Sequence, residues 1–420
     1  MKTRTSCAAV AIALLAACAN LQAPSGRPLD ESPNRYVDAH FHVSNYAYQG
    51  VSLKTLIDRY MGDKIVRSVV MPLPLQQKWD PFEHYAGDAM PPNYYLGPKA
   101  ELYYYAFADA MIAREYGALS PADQARIDPM ITGFNPMDRY APQHIERVLL
   151  TFPGVFTGIG ELTVHKELVS NKIAGDPLEA ITAEQGLPED VAAGGKLTLY
   201  SAALVSIFDL AAETGLVATL HNDIYETDVK YDGTVVRKSP EVTYEQGLKY
   251  LCQRSPNATV IWAHTGLGRF VTPSASHLAT VAGVLDVCPN WSVDISWDLV
   301  QTMIVDPAPG MPSLAEWAAF ITKYQDRVLW GSDTVIHSRN KVDDAGRLVR
   351  GGPMPVAEYQ GVADLTGPLW DALGPDVSRK VRMANAVRLF DAARTRVRAW
   401  ETHHANDDVW NLEPVRPTAP

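Results

Sequence analysis

From Tyr36 onward, short apolar runs alternate with amphipathic stretches of helical periodicity, and this alternation limits the possible folds more than any other feature. Strands that are separated by helices pair in parallel through βαβ units. Eight runs have the length and composition of buried strands: residues 36–42, 65–72, 129–134, 155–162, 217–221, 260–264, 292–296 and 328–332. Eight parallel strands predict an α/β fold of the (β/α)8 or TIM-barrel type.

Helices are predicted between these strands wherever apolar residues recur at helical spacing, in residues 53–61, 142–150, 199–214, 244–254, 276–287 and 314–324. Residues 356–400 have the same periodicity. A length of 420 residues with 47% hydrophobic residues suits one barrel that carries insertions. We therefore predict a barrel domain over residues 35–400 and a C-terminal tail over residues 401–420.

Three connections are longer than a minimal barrel needs: residues 76–126 after the second strand, 163–196 after the fourth and 223–242 after the fifth. Because they follow strands, we expect these long insertions on the catalytic face. The first is rich in aromatic residues, which either line a lid or binding loop or pack a small core of the insertion itself. The third is expected to form a hairpin around Asp232-Gly233.

The N-terminus has the pattern of an export signal. Lys2 and Arg4 precede an apolar run that is too short to span a bilayer. The sequence Leu-Ala-Ala-Cys ending at Cys18 resembles a bacterial lipobox, although an ordinary cleaved signal with an incidental cysteine is the alternative. We expect a lipoprotein signal over residues 1–17, lipidation of Cys18, a flexible tether over residues 18–34, and a lipid-anchored location in the bacterial cell envelope, at the outer membrane or in the periplasm.

The charge balance and the cysteines narrow the possible partners. The formal net charge is −11, and the predicted signal would remove two positive charges. Binding to nucleic acid is therefore disfavoured, and a small-molecule substrate is expected instead. Cys252 and Cys288 would be able to pair in an oxidising compartment, but the sequence does not show how closely they approach.

Residues His40 and His42 end the first predicted strand. Side chains at positions i and i+2 of a strand project to the same face. Two imidazoles that point together into the top of a barrel suit a divalent metal ion such as zinc. A His-x-His pair alone fits a hydrogen-bonded surface pair equally well.

Further ligand-type residues end later apolar strands, and these are Glu161, His221, His264 and Asp333. A histidine or carboxylate is costly in such a place unless it is paired or bound to a metal. Barrel enzymes carry their catalytic residues at this end of the strands. The recurrence in five strands therefore predicts a metal site.

At these residues the chain resembles the amidohydrolase superfamily, and most closely its amidohydrolase-related branch of metal-dependent hydrolases and nonoxidative decarboxylases. The resemblance covers roughly residues 36–390. It implies that the catalytic metal is bound by His40, His42, His221 and Asp333. It implies that His264 is either a ligand of a second ion or a group that transfers protons or polarises the substrate.

The same resemblance leaves the number of metal ions open. Members with two ions commonly bridge them through a carboxylated lysine or a glutamate on the fourth strand, and this chain has Glu161 there. Glu161 is thus expected either to bind metal or to orient a ligand histidine. The cofactor we expect is a divalent metal, with zinc as the first choice, as one ion or two.

The function that follows is hydrolysis of an amide, lactone or ester bond of a small molecule by metal-activated water. Asp333 would accept the proton of that water, and His264 would stabilise the developing oxyanion or share in proton transfer. Nonoxidative decarboxylation is the alternative, in which Arg139 would bind a substrate carboxylate. A helix-start salt bridge is the other role open to Arg139.

Trp297 is expected to bind substrate or to pack in the core. A third possible function is that of a catalytically inactive, lipid-tethered binding protein. The substrate and the oligomeric state are left open.

Overall fold

The computed structural model describes residues 32–43, 50–73, 105–166, 197–224, 229–231, 234–237, 244–269, 271–336, 338–342 and 348–412. Nine strands form the main sheet in the order β10-β9-β8-β5-β4-β3-β2-β1-β11, and every pairing in it is parallel. These strands are β1 (Tyr36–Val43), β2 (Ile65–Pro72), β3 (Ile127–Ile131), β4 (Gly158–His165), β5 (Val217–Asn222), β8 (Thr259–Trp262), β9 (Trp291–Ile295), β10 (Val328–Trp330) and β11 (Thr334–Ile336).

The sheet closes because β10 and β11 are two halves of the eighth barrel strand. Val328 of β10 pairs with β9, and Thr334 of β11 pairs with Phe41 of β1. Between the two halves, the Gly331 N–H donates to the carbonyl oxygen of Ile295 at 3.2 Å and the Asp333 N–H donates to that of His40 at 2.7 Å. The last strand thus bonds to both its neighbours, and the predicted TIM barrel is confirmed.

Helices follow the strands as predicted. They are α1 (Leu53–Thr55, which continues as a π-helical turn over Leu56–Met61), α2 (Ala108–Gly117), α3 (Pro121–Gln124), α4 (Ala141–Thr151), α5 (Ala202–Thr214), α6 (Tyr244–Arg254), α7 (His277–Val287), α8 (Leu314–Lys323), α9 (Val356–Asp364), α10 (Gly367–Arg379) and α11 (Asn385–His403). Local sequence sets several of their ends: Ser313 and Glu316 form a reciprocal capping box at the start of α8. Gly215 ends α5 with a φ of 87° that favours glycine.

Several predicted boundaries move by a few residues. Strand β4 runs on to His165, so residues 163–165 belong to the strand and not to the insertion after it. Strand β8 stops at Trp262, because His264 and Thr265 adopt positive φ angles of 54° in the turn that follows. Sequence pattern locates an apolar strand but does not show where its backbone leaves the extended region.

Two antiparallel hairpins lie outside the main sheet. Strands β6 (Val229–Tyr231) and β7 (Thr234–Arg237) form the hairpin predicted in the third insertion. Strands β12 (Ser338–Val342) and β13 (Leu348–Pro353) form another that the sequence pattern did not predict. Both follow barrel strands at their carboxyl ends. The long connection after β5 was predicted, and the one after β11 was not.

The barrel interior is filled by a buried cluster that takes side chains from six strands, from the C-terminal helix α11 and from the π-helical turn before it (Lys380–Ala384), namely Val37, Ala39, Val69, Met71, Met130, Val217, Ile261, Leu329, Met383, Ala386, Phe390 and Ala393. A larger apolar core lies between the strands and the surrounding helices. The pairing of β1 with β2 changes register between Asp38 and Phe41. Such irregularities are common beside active sites, and this one precedes the two histidines of β1.

The structure also pairs Cys252 of α6 with Cys288, which follows α7, in a disulfide with a Cα–Cα distance of 5.9 Å. None of the helices in the described ranges combines the length and the hydropathy needed to cross a bilayer. Cys18 and the predicted signal lie outside the described residues, so lipidation and export stay predictions.

Candidate metal centre

Six predicted side chains meet at the carboxyl end of the barrel. They come from β1, β4, β5, the turn after β8, and the break between β10 and β11: His40, His42, Glu161, His221, His264 and Asp333. They form three overlapping groups, and within each group one ligand atom per residue lies within 4.8 Å of the others. All are buried except Asp333, which is 11% exposed through its side chain. The convergence predicted from strand ends is therefore what the fold produces.

Glu161 lies at the centre of this cluster. Its Oε1 is 2.6 Å from His221 Nδ1 and 3.4 Å from His264 Nε2. Its Oε2 is 3.5 Å from Nε2 of His42. The preceding Gly160 has a φ of 112°, and a Cβ there would lie 2.5 Å from the Thr219 carbonyl oxygen. Only glycine fits this close approach of β4 to β5, which brings the carboxylate to the barrel axis.

Asp333 enters from the break in the eighth strand. Its Oδ1 is 3.0 Å from His42 Nε2 and 3.5 Å from His40 Nε2. Its φ is 48°, an uncommon value for a residue with a side chain. The neighbouring Gly331 is equally constrained, because a Cβ there would lie 2.5 Å from His40 Cβ. The break in the strand therefore serves to aim Asp333 at the two histidines of β1.

The tautomers of the β1 histidines follow from their partners. Nδ1 of His42 is 3.2 Å from the carbonyl oxygen of Pro72, which can only accept. Nδ1 of His40 is 3.0 Å from Oδ2 of Asp294. In the neutral state each ring thus carries its proton on Nδ1. This leaves the Nε2 atoms, which are 3.2 Å apart, as lone-pair donors that face the centre.

The tautomer of His264 follows in the same way. The hydroxyl of Ser296 contacts Oδ1 of Asp294 and lies 2.6 Å from Nδ1 of His264. A carboxylate accepts only, so the single hydroxyl proton goes to Asp294 and Ser296 accepts from His264 Nδ1–H. Nε2 of His264 is buried and makes no hydrogen bond, and it faces Glu161 with a lone pair. Asp294 therefore orients two cluster histidines at once.

His221 is held between two carboxylates. Nδ1 contacts Glu161, and Nε2 is 2.8 Å from Oδ1 of Asp223. Burial and the ammonium of Lys166 lower the pKa of His221, but Glu161 and Asp223 outweigh them and raise it to about 9. Burial likewise lowers the pKa of His40, while Asp294, Glu161 and Asp333 raise it to about 10.

These pKa shifts show that the cluster is built to hold positive charge. Burial alone would raise the pKa of Asp333, yet His264, His42 and His40 hold it well below its usual range. The same opposition holds for Glu161, whose pKa His221 lowers most. Carboxylates therefore stay ionised, and without an ion His40, His42 and His221, whose pKa values are raised, must bind protons to balance them. A divalent cation with nitrogen and oxygen ligands fits this donor set.

Comparison with known proteins agrees with this geometry. Residues 191–392 match the sequence profile of a family described as Amidohydrolase. This match, which covers slightly less than half of the chain, supports membership of the amidohydrolase superfamily and an enzyme of the amidohydrolase type. The cluster of histidines and carboxylates supports a divalent-metal site. Among curated proteins no relative matches the chain.

Solved structures that resemble this amidohydrolase are distant in sequence. An amidohydrolase from Burkholderia multivorans with bound HEPES is 13% identical, with coverage of 85% of this chain and 99% of that chain and a TM-score of 0.45. A second structure from that organism, with bound zinc, is 12% identical, with coverage of 84% and 99% and a TM-score of 0.43. A probable 2-pyrone-4,6-dicarboxylic acid hydrolase from Acinetobacter baumannii with citric acid bound is 9% identical, with coverage of 85% and 99% and a TM-score of 0.42.

The two predicted substrate-binding residues of the amidohydrolase lie in different surroundings. Trp297 is 8% exposed, and its ring centroid is 5.1 Å from that of His264, so it borders the cluster. Arg139 is exposed in the turn before α4. Its role in binding a carboxylate stays a prediction.

Several residues at the site were missed or undervalued by the sequence analysis, namely Asp223, Asp294, Ser296 and Lys166. The signal for three of them was present. Asp294 and Ser296 share the i, i+2 spacing that singled out the first-strand histidines, and Asp223 has the same spacing from His221. Lys166 had no such signal, because it directly follows β4 in a stretch expected to be an insertion.

Proposed function

We propose that this enzyme is a zinc-dependent hydrolase that uses two ions to cleave an amide, lactone or ester bond of a small molecule. One observation carries the proposal. Glu161 belongs to a group with His40 and His42 and also to a group with His221 and His264, so one carboxylate is shared by two sets of ligands. A carboxylate shared by two sets of ligands is one way in which a hydrolytic site holds two ions. Imidazole and carboxylate donors favour zinc among common divalent ions.

Zinc bound by these residues would supply Lewis acidity and a water nucleophile near neutral pH. Residues of the chain would transfer the protons. Asp333 stays ionised and can accept the proton of that water. His264 keeps its Nδ1 proton on Ser296, so its Nε2, 3.8 Å from Asp333 Oδ2, is a proton acceptor in the resting enzyme. A proton held there is available to the leaving group.

Decarboxylation is the second candidate, and Lys166 is the observation in its favour. Its ammonium is buried, with Nζ 3.5 Å from the ring nitrogens of His221, where a carboxylate substrate would meet it. The products separate the two reactions. Hydrolysis in H2 18O places one labelled oxygen in the product acid, whereas decarboxylation releases carbon dioxide and no labelled acid.

The test of the proposal is the metal content by elemental analysis, together with turnover of a panel of lactones, esters and amides. We expect about two zinc ions per chain, about one in Glu161→Ala, and loss of turnover in both Glu161→Ala and His40→Ala. Glu245→Ala, at a partly buried pair with Lys249 on α6, is the control and should keep both ions. One ion that is retained in Glu161→Ala would make Glu161 an orienting group, and no ion under zinc-replete conditions would overturn the metalloenzyme.

A further inference from the structure

A buried carboxylate lies directly behind the metal centre. Asp38 of β1 is fully buried. Its neighbours Val37 and Ala39 belong to the cluster inside the barrel, and alternation along a strand therefore turns Asp38 outward, towards the surrounding helices. There the hydroxyl of Tyr359, a fully buried residue of α9, donates to Asp38 Oδ2 at 2.9 Å. Asp38 thus faces away from the metal centre, although it is only two residues from His40.

The acceptor positions of this carboxylate are filled. Oδ1 accepts from the backbone N–H of Ser332 at 2.8 Å and from that of His40 at 3.1 Å. Oδ2 accepts from the Ser332 hydroxyl at 2.6 Å and from Tyr359. An ionised carboxylate offers about four acceptor sites, and these four donors match them. None of the four is charged, so the carboxylate is suited to fixing the directions of its donors and not to balancing an opposite charge.

The donors belong to the two chain segments that carry candidate ligands. Ser332 directly precedes Asp333, and both its N–H and its hydroxyl bind the one carboxylate, which fixes the orientation of its backbone. Asp333 has the uncommon φ of 48°, and its N–H donates to the His40 carbonyl oxygen at 2.7 Å. The His40 N–H reaches Asp38 in the stretch where the pairing of β1 with β2 changes register. Asp38 thus ties the backbone of His40 to the backbone that aims Asp333.

We propose that Asp38 is a positioning residue, which holds His40 and Asp333 in the relative arrangement that a metal ion needs, and that Tyr359 holds Asp38 from the helix layer. Without this bond network the broken eighth strand would relax away from β1. The separation between His40 Nε2 and Asp333 Oδ1, which is 3.5 Å, would then widen. The inference rests on the proposed function for the presence of an ion, and not for the reaction or the number of ions.

The test compares variants of the full-length chain. Tyr359→Phe removes one hydrogen bond to Asp38 and keeps the ring. Tyr60→Phe is the matched control, because Tyr60 is also fully buried and its hydroxyl donates to the carbonyl oxygen of Met354 at 2.9 Å, outside the metal centre. The two variants should lose a similar amount of melting temperature. Asp38→Asn is the stronger variant, because an amide offers a single acceptor oxygen to four donors.

Amide hydrogen exchange, detected by mass spectrometry, is measured first without zinc. We expect exchange in residues 37–43 and 328–336 to be about three- to tenfold faster in Tyr359→Phe than in the wild-type protein, and unchanged in Tyr60→Phe. Zinc affinity should fall by about three- to tenfold in Tyr359→Phe and by about 10- to 100-fold in Asp38→Asn. In Tyr60→Phe it should stay within about twofold of the wild-type value. The visible spectrum of the cobalt-substituted protein, which reports ligand geometry, should shift in Tyr359→Phe and not in Tyr60→Phe.

Exchange that rises evenly over the barrel in Tyr359→Phe, or does not rise at all, would overturn the proposal, since an even rise is the result of a general loss of stability. A zinc affinity and a cobalt spectrum that both match the wild-type protein would overturn it as well. If Asp38→Asn does not fold, Tyr359→Phe decides alone. A wild-type protein that binds no zinc would reject the proposed function, whereas the exchange pattern needs no ion and would still decide whether Asp38 holds the two segments.

Discussion

Buried charges lie at both ends of this barrel, and the two sets are built differently. At the amino end of the strands, Asp128 of β3 is fully buried and binds two guanidinium groups. Arg67 of β2 approaches it at 2.5 and 3.0 Å, and Arg394 of α11 approaches it at 2.7 Å. Arg67 also reaches Asp391 of α11 at 2.6 Å. These contacts fix the C-terminal helix to the base of the barrel.

At the carboxyl end the carboxylates face imidazoles instead. Guanidinium groups are always charged, so at the base Arg394 and Arg67 lower the pKa of Asp128 although burial alone would raise it. Imidazoles balance a carboxylate only if they take up protons, and those protons compete with a metal ion for the same lone pairs. Buried charge by itself therefore does not indicate function, because at the base the chain supplies both signs of charge. The cluster at the carboxyl end does indicate function, because protons or a metal ion must supply its positive charge.

The largest effect that distinguishes the two ends is expected for Asp333→Asn. Loss of the proton acceptor should lower turnover about 10²- to 10⁴-fold, because general bases contribute that much. The melting temperature should stay within a few degrees of the wild-type value. Kinetics and calorimetry on the same preparation measure both, with Asp326→Asn at an exposed pair as the control. Turnover within tenfold of wild type would remove Asp333 from the reaction.

The opposite pattern is expected for Asp128→Asn. Two guanidinium groups would lose their buried partner, so the free energy of unfolding should fall by about 3 kcal/mol. Turnover per folded molecule should remain close to wild type. Denaturant unfolding measures the free energy of unfolding. Turnover per folded molecule is the measured rate divided by the number of sites that bind zinc in a titration. Asp391→Asn is the matched control and should cost less than about 1 kcal/mol, because that carboxylate is 59% exposed. Equal losses of unfolding free energy in Asp128→Asn and Asp391→Asn would contradict the interpretation that buried Asp128 holds α11 to the base of the barrel.

A smaller, graded effect is expected from pH. The pKa of His40 is raised to about 10 and that of His221 to about 9, both from 6.5. Zinc must displace these protons, so its apparent affinity should rise with pH, by about tenfold per unit for each proton released, and level off above about pH 10.

The same shifts act on the stability of the zinc-free protein. Between pH 6.5 and about 10 the folded state holds more protons than the unfolded state, so the free energy of unfolding should fall as pH rises through this window. Calorimetric titration of the protein with zinc, in buffers of different ionisation enthalpy, counts the protons that zinc binding releases. A pH-independent zinc affinity would show that the histidines are already neutral.

Most of the strands and helices can be predicted from the sequence because strand and helix periodicities are local properties. All eight predicted strands are found, and the two strands of the predicted hairpin, β6 and β7, are found as well. The misplaced boundaries at His165, Trp262 and Trp330 share a cause. At each, polar residues follow an apolar run, and the sequence does not show whether the backbone stays extended, as it does at His165, or turns, as it does at His264 and Asp333.

The sequence by itself determined which residues meet at the metal centre. The carboxyl ends of parallel strands in one barrel lie at the same rim, so the polar residues at those strand ends lie near one another there. Tertiary structure alone decided how these residues act. Three features depend on distances between strands. Ser296 sets the tautomer of His264, Glu161 is shared by two sets of ligands, and Lys166 lies against His221. Periodicity fixes direction along one strand, whereas hydrogen bonds between strands are fixed to within tenths of an ångström only by the closed and packed barrel.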